Sequence, residues 1–115
     1  MLYFTSDLHL GDEKVLISRS GRPFSNIEEM NNTIIDNINS VVGADDELWI
    51  LGDFAFRVDK VEVQKFRNRI NCRNVHLVYG NHDQDYSKER IFQSVQYYKE
   101  LKTPYGIVVL FHYPI

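Results

Sequence analysis

The chain is 115 residues long, carries 13 basic and 16 acidic side chains for a formal net charge of −3, and is 43% hydrophobic and 13% aromatic. A chain of this size forms one domain and buries roughly two-thirds of its unfolded surface, and the aromatic content excludes a disordered polymer. The acidic balance argues against bulk attraction to nucleic acid or an anionic membrane, and the lone Cys72 excludes an internal disulfide or a paired-cysteine zinc site.

The segment Met1 to Asp7 has no basic residues ahead of its apolar ones and meets a carboxylate at once, so it does not read as a signal peptide. The late apolar run Ile107 to Phe111 is far too short to cross a bilayer, and the expectation is a cytoplasmic chain. Leu2-Tyr3-Phe4-Thr5 reads as a first strand. A turn-rich loop from Ser18 to Phe24 follows, and Ser25 then stands three residues before Glu28, the spacing of a capping box. Ile27, Met30, Ile34, Ile38 and Val41 recur at helical steps, and Gly43 suits the end of that helix. Glu47 to Leu51 is apolar after its first residue, as a strand covered on both faces requires. Asp59 and Glu62 form a second capping pair before Val63, Phe66 and Ile70, and Asn74 to Tyr79 reads as a third strand. The order β-α-β-α-β predicts a parallel sheet. Beyond it the sequence predicts a short helix over Ser87 to Ser94. A hairpin of Val95 to Leu101 with Ile107 to Phe111 follows, turning at Thr103-Pro104-Tyr105-Gly106. No repeat or linker divides residues 1–115, which read as a single domain.

Polar residues fall at the ends of the strands. The first runs into Ser6-Asp7-Leu8-His9, the second into Gly52-Asp53, the third into Gly80-Asn81-His82-Asp83, and the last into His112. In an open α/β sheet the carboxyl ends of parallel strands share one edge, where ligands bind, so these groups converge from distant segments. Carboxylate, imidazole and amide ligands without a thiol suit Mn, Fe or Zn. In an extended segment Asp7 and His9 point to the same side and reach one ion. Asp53 has two oxygens with which to bridge two ions, and Asn81 offers its amide oxygen. Gly52 and Gly80 let the backbone turn beside the site without a Cβ clash.

In this order, Asp7-x-His9, Gly52-Asp53, Gly80-Asn81-His82-Asp83 and His112 closely resemble the calcineurin-like metallophosphoesterase superfamily. Ser6-Asp7-Leu8-His9-Leu10-Gly11 and Phe111-His112-Tyr113-Pro114 look like its small bacterial and phage members. The resemblance implies an α/β fold, a β-sandwich flanked by helices. It also implies hydrolysis of phosphomonoesters or phosphodiesters by a hydroxide that two divalent ions (Mn, Fe or Zn) activate. Asp7 and His9 would hold the first ion, Asn81 and His112 the second, with Asp53 bridging. His82 would serve the leaving-group oxygen as a general acid, and the neighbouring Asp83 is a candidate to orient it. Phosphoprotein phosphatases of the superfamily carry a phosphate-gripping arginine where Arg57 stands, whereas their second aspartate is replaced by Phe56. The implied partner is a phosphate ester, with nucleic acids and nucleotides among the classes the same core serves, and no membrane.

The family continues past the His112 motif to a Gly-His-x-His segment that this sequence lacks. The expectation is a domain truncated at its C-terminal end, with fewer protein ligands on each ion and an exposed sheet edge open to oligomerisation. The alternative is a catalytically weak metal- or phosphate-binding remnant, or a subunit completed by another chain. A flavodoxin-like nucleotide-binding module would need a Gly-rich first turn where this chain has Asp7 and His9. His76 reads as structural; Arg19 and Arg22 read as surface charges, with a loop that borders the site as the alternative. Residues 57–73 hold six basic groups against two acidic ones, a local +4 that reads as the wet face of a helix or as a contact for a polyanion.

Overall fold

The protein is described by a computed structural model over residues 1–14 and 22–112; Arg19 and most of the predicted turn-rich loop, like Tyr113 and Pro114, lie outside the described residues. Strands β1 (Leu2–Thr5), β2 (Glu47–Leu51), β3 (Asn74–Val78) and β4 (Ser94–Gln96) form one parallel sheet in sequential order. Thr5, Ile50, Leu77 and Val95 lie in a single row across it, which leaves the carboxyl ends of the strands flush.

Helices α1 (Ile27–Val41) and α2 (Lys60–Arg69) are the crossovers. Sequential strand order with right-handed crossovers puts both on one face. There Ile35 of α1 and Val63 and Phe66 of α2 share a core with Leu48, Ile50, Val75 and Leu77. The alternate residues Trp49 and Val78 point the other way, and Leu110 covers them. Leu110 belongs to an antiparallel hairpin of β5 (Lys99–Thr103) and β6 (Gly106–Leu110), the second layer of a sandwich. Burial on both faces explains why β2 is apolar almost throughout.

The caps show where local sequence decides and where it slips. Asp59 caps α2 as expected, its carboxylate accepting the Glu62 N–H at 2.9 Å. In α1 the cap is Asn26 rather than Ser25: Asn26 Oδ1 accepts the Glu29 N–H at 2.8 Å, and Glu29 reaches back to the Ser25 N–H at 3.1 Å. The buried stripe is rotated accordingly onto Met30, Asn31 and Ile35, while Val41 is 60% exposed. Gly43 does not close the helix in a left-handed turn. Val42 is the cap residue, and the Gly43 N–H is taken by Asp46 Oδ2 at 2.7 Å.

Two expectations for the second half are corrected. Residues 87–94 form turns, not a helix, until Ser94 opens β4. Ile91 and Phe92, adjacent in sequence, are both buried, which a helix turning about 100° per residue does not favour. Val95 to Leu101 is not one strand either. The chain breaks at Tyr97-Tyr98 and changes layer, with β4 adding in parallel to β3 and β5 pairing antiparallel with β6.

Candidate metal centre

Pairing continues beyond the carboxyl ends of β1 and β2. The N–H groups of Asp7, His9 and Leu10 donate to the carbonyls of Gly52, Asp53 and Phe54 at 3.0, 2.9 and 3.0 Å. Along this zipper Asp7, His9 and Asp53 have φ of 52°, 53° and 54°, the left-handed region that non-glycine residues avoid. Each such residue costs about 1–3 kcal/mol and persists only where its surroundings enforce it, typically at functional sites. Asp7 and His9 therefore face a common point through two left-handed kinks and not, as the sequence suggests, through the alternation of an extended strand.

The side chains meet around one oxygen. Asp53, buried to 3% exposure, places Oδ2 3.5 Å from His9 Nε2 and 3.5 Å from His112 Nε2. Asp7 Oδ1 lies 3.9 Å from His9 Nε2, and Asn81 Oδ1 lies 3.1 Å from His112 Nε2. Ligand atoms of Asp7, Asp53 and His112 all fall within 4.8 Å of one another, close enough to hold a metal ion.

The partners of the two imidazoles set their tautomers. His9 Nδ1 lies 3.0 Å from Asp12 Oδ2, and His112 Nδ1 lies 3.0 Å from the Leu51 carbonyl. Both partners are acceptors, so each Nδ1 carries a proton, and Nε2 is the ring nitrogen each histidine would offer to a cation. The rim thus gathers carboxylate oxygens, an amide oxygen and two imidazole Nε2 atoms. Facing acceptors repel one another until a cation lies between them, and this donor set fits divalent ions of the Mn, Fe and Zn type.

Glycines and backbone donors hold the arrangement. Gly52 (φ 85°) lies under the His112 ring, where an added Cβ would come within 2.0 Å of Nδ1. A Cβ on Gly80 would come within 2.3 Å of Asp53 Oδ1. That same Oδ1 accepts the His82 N–H at 2.9 Å, which turns Oδ2 toward the imidazoles. Asp83 accepts the N–H groups of Asp53, Phe54 and Gly80 at 2.8, 2.9 and 2.8 Å. Its carboxylate therefore ties two metal-rim loops together, a different task from orienting His82. Burial pushes the Asp83 carboxyl above the usual range, opposed by these N–H groups, with the nearby Asp53 adding to the rise.

Three contributors escape a reading of the sequence. Asp12, buried at 5% exposure, positions His9. The Arg22 guanidinium donates to the Asp7 and Leu8 carbonyls, so it braces the first left-handed kink instead of serving as a surface charge. Asn31, the polar residue on the buried face of α1, accepts the Gly11 N–H at 3.0 Å. The one available signal was spacing: Asp12 stands three residues after His9 in a turn.

His82 is exposed at the mouth of the site. Its ring packs at 4.4 Å against Phe56 and meets His9 edge-on at 5.7 Å, and its Nε2 lies 3.4 Å from Asn81 Nδ2. Arg57, also left-handed (φ 58°), lies over Phe56 and lines a cavity of about 400 Å³ with Gly11, Asp12, Glu13 and Lys14. His76 lies away from this rim, stacked on Trp49 at 4.2 Å with Nδ1 2.6 Å from Ser94 Oγ.

A parallel sheet with carboxylates and imidazoles gathered at its carboxyl edge is an α/β domain with a candidate metal site. The sequence matches the calcineurin-like phosphoesterase family over residues 2–115, and the chain belongs to that family of metal-dependent phosphoesterases. It is 37% identical over 94 residues to an uncharacterized protein of Methanocaldococcus jannaschii, covering 80% of this chain and 52% of that one. It is 36% identical over 83 residues to the Gene 66 protein of Mycobacterium phage L5, covering 70% and 39%. The fold matches a crystal structure of a protein of unknown function from Aquifex aeolicus with a TM-score of 0.81 and 29% identity, covering 99% of this chain and 61% of that one. The chain thus spans about half the length of these curated relatives. Among the described residues no helix is long and apolar enough to cross a membrane.

Proposed function

We propose that the chain hydrolyses phosphomonoesters or phosphodiesters with two divalent ions, one held by Asp7, His9 and Asp53 and the other by Asp53, Asn81 and His112. The observation that carries this reading is the placement of Asp53 Oδ2 at 3.5 Å from both imidazole nitrogens. A carboxylate shared in that way would serve one ion beside His9 and another beside His112. Such ions supply Lewis acidity, lowering the pKa of water and neutralising phosphoryl oxygens.

The residues of the chain do the rest. Asp12 and the Leu51 carbonyl hold the histidines in the ligating tautomer. His82, propped by Phe56 at the mouth, is placed to give a proton to the departing oxygen. Arg57, beside the cavity that opens next to Asp12, presents a guanidinium to a phosphoryl oxygen.

Turnover of a chromogenic phosphodiester with manganese tests the proposal. We expect metal-dependent hydrolysis that Asp53→Asn abolishes and that His82→Ala lowers by about 10²–10⁴-fold. Tight metal binding without turnover would support a metal-binding remnant instead.

A further inference from the structure

The basic run of residues 57–73 does not form one wet face. Lys60 pairs with Glu89 at 2.9 Å, Lys65 with Glu62 at 3.4 Å, and Arg69 donates to Asn32 at 2.6 Å. Arg67 and Arg73 go elsewhere. With Arg90 they line a cavity of about 300 Å³ whose other walls are Ile91, Phe92 and Gln93. Arg67 stands in the last turn of α2, Arg73 just before β3 and Gln93 just before β4. The cavity therefore opens on the amino edge of the sheet, across the domain from the metal rim.

Its charge is compensated only at the rim, where Asp45 meets Arg73. No carboxylate lines it. Arg67 is half-buried and donates only to carbonyls, those of Ile70 at 3.3 Å and Arg73 at 3.1 Å. These bonds explain its terminal nitrogens as a stopper for the helix end, but Nε is buried with no partner. Arg73 is held by Asp45 in an ion pair with both side chains well exposed, a contact worth little. Arg90 is exposed and makes no hydrogen bond or ion pair among the described residues. An unmatched, partly buried guanidinium is costly unless an anion answers it.

We propose that this pocket binds a phosphate group, with the Arg67, Arg73 and Arg90 guanidiniums as donors over an apolar floor of Ile91 and Phe92. Planar guanidinium forks match phosphate oxygens two at a time, which a lysine cluster does not. The phosphate is either a free small anion or one unit of a polynucleotide backbone.

The test is a nitrogen-15 NMR titration of the zinc-loaded chain with inorganic phosphate, reading arginine Nε–H signals and backbone amides. The expected result is a saturable shift of Arg67 Nε–H and of the Ile91, Phe92 and Gln93 amides. Asp53→Asn should retain it, and Arg73→Gln with Arg90→Gln should weaken it by about tenfold or more. Arg90→Gln alone, at an exposed side chain that makes no hydrogen bond or ion pair among the described residues, guards against misfolding of the double variant and should weaken binding in the same direction. An oligothymidylate without terminal phosphates that competes for the same signals, with a salt-dependent affinity, identifies a backbone phosphate; no competition identifies the free anion. Shifts confined to the Asp53 rim, or unchanged affinity in both arginine variants, would overturn the proposal.

Discussion

Asp12 Oδ2 lies 3.0 Å from His9 Nδ1, with the aspartate almost wholly out of solvent. A buried carboxylate behind a histidine fixes its tautomer and raises its basicity as a ligand. Asp12→Ala is therefore expected to weaken metal binding by about 10–100-fold while leaving the sheet intact. Calorimetric metal titration beside a far-ultraviolet circular dichroism spectrum reads both effects. Unchanged metal affinity would remove Asp12 from the site.

Gly52 and His112 are in closer contact than any larger residue permits. Gly52→Ala would set a Cβ 2.0 Å from the imidazole and would place an alanine at φ 85°. The expected cost is about 1–3 kcal/mol of strain, together with loss of the half-site that His112 completes. Urea unfolding gives the first, and the number of ions bound gives the second.

Asp83 ties the Asp53 and Gly80 loops by accepting three backbone N–H groups. Asp83→Ala leaves the donors of three buried residues, Asp53, Phe54 and Gly80, without that acceptor, at about 1–3 kcal/mol each. Denaturant unfolding of the metal-stripped chain should show the loss, a readout independent of catalysis. A variant as stable as the parent would contradict this role.

His76 supplies a pH dependence. Burial against Trp49 lowers its pKa from the ordinary 6.5, with Lys99 acting in the same direction and Glu47 opposing. The folded state therefore prefers the neutral ring. Its contribution to stability is fully present above the unfolded-state value and is lost as pH falls from 6.5 through the lower folded value. His76→Gln should flatten that decline, measured as the difference between the two metal-free chains in urea at pH 7.5 and 5. A decline as steep in the variant would assign it to other groups.

The sheet was legible because its strands carry their own pattern. Leu48 to Leu51 admits little but a doubly covered strand, and Asp59 with Glu62 marks a helix start by chemistry alone. The gathering of Asp7, His9, Asp53, Asn81 and His112 was legible because parallel strands deliver their carboxyl ends to one edge, wherever the residues stand in sequence. Contributions made through space were not. Nothing local distinguishes Asp12 from Glu13, and nothing local marks Arg22; only the fold brings Asp12 to a ring nitrogen and Arg22 to a strained carbonyl. The segment before β4 misled because its short apolar spacing suits a helix turn, while Ser94 to Gln96 finds its stabilisation in pairing with His76 to Val78. Asn26 outcompeted Ser25 because either oxygen serves as a cap and the register of the buried stripe selects between them.

Calorimetric titration of the chain with manganese, alongside Asp53→Asn, addresses the shared carboxylate directly. The arrangement around Asp53 Oδ2 predicts two ions per parent chain and the loss of tight binding at both positions from that one substitution. A single ion in the parent, or one position left untouched in Asp53→Asn, would contradict it.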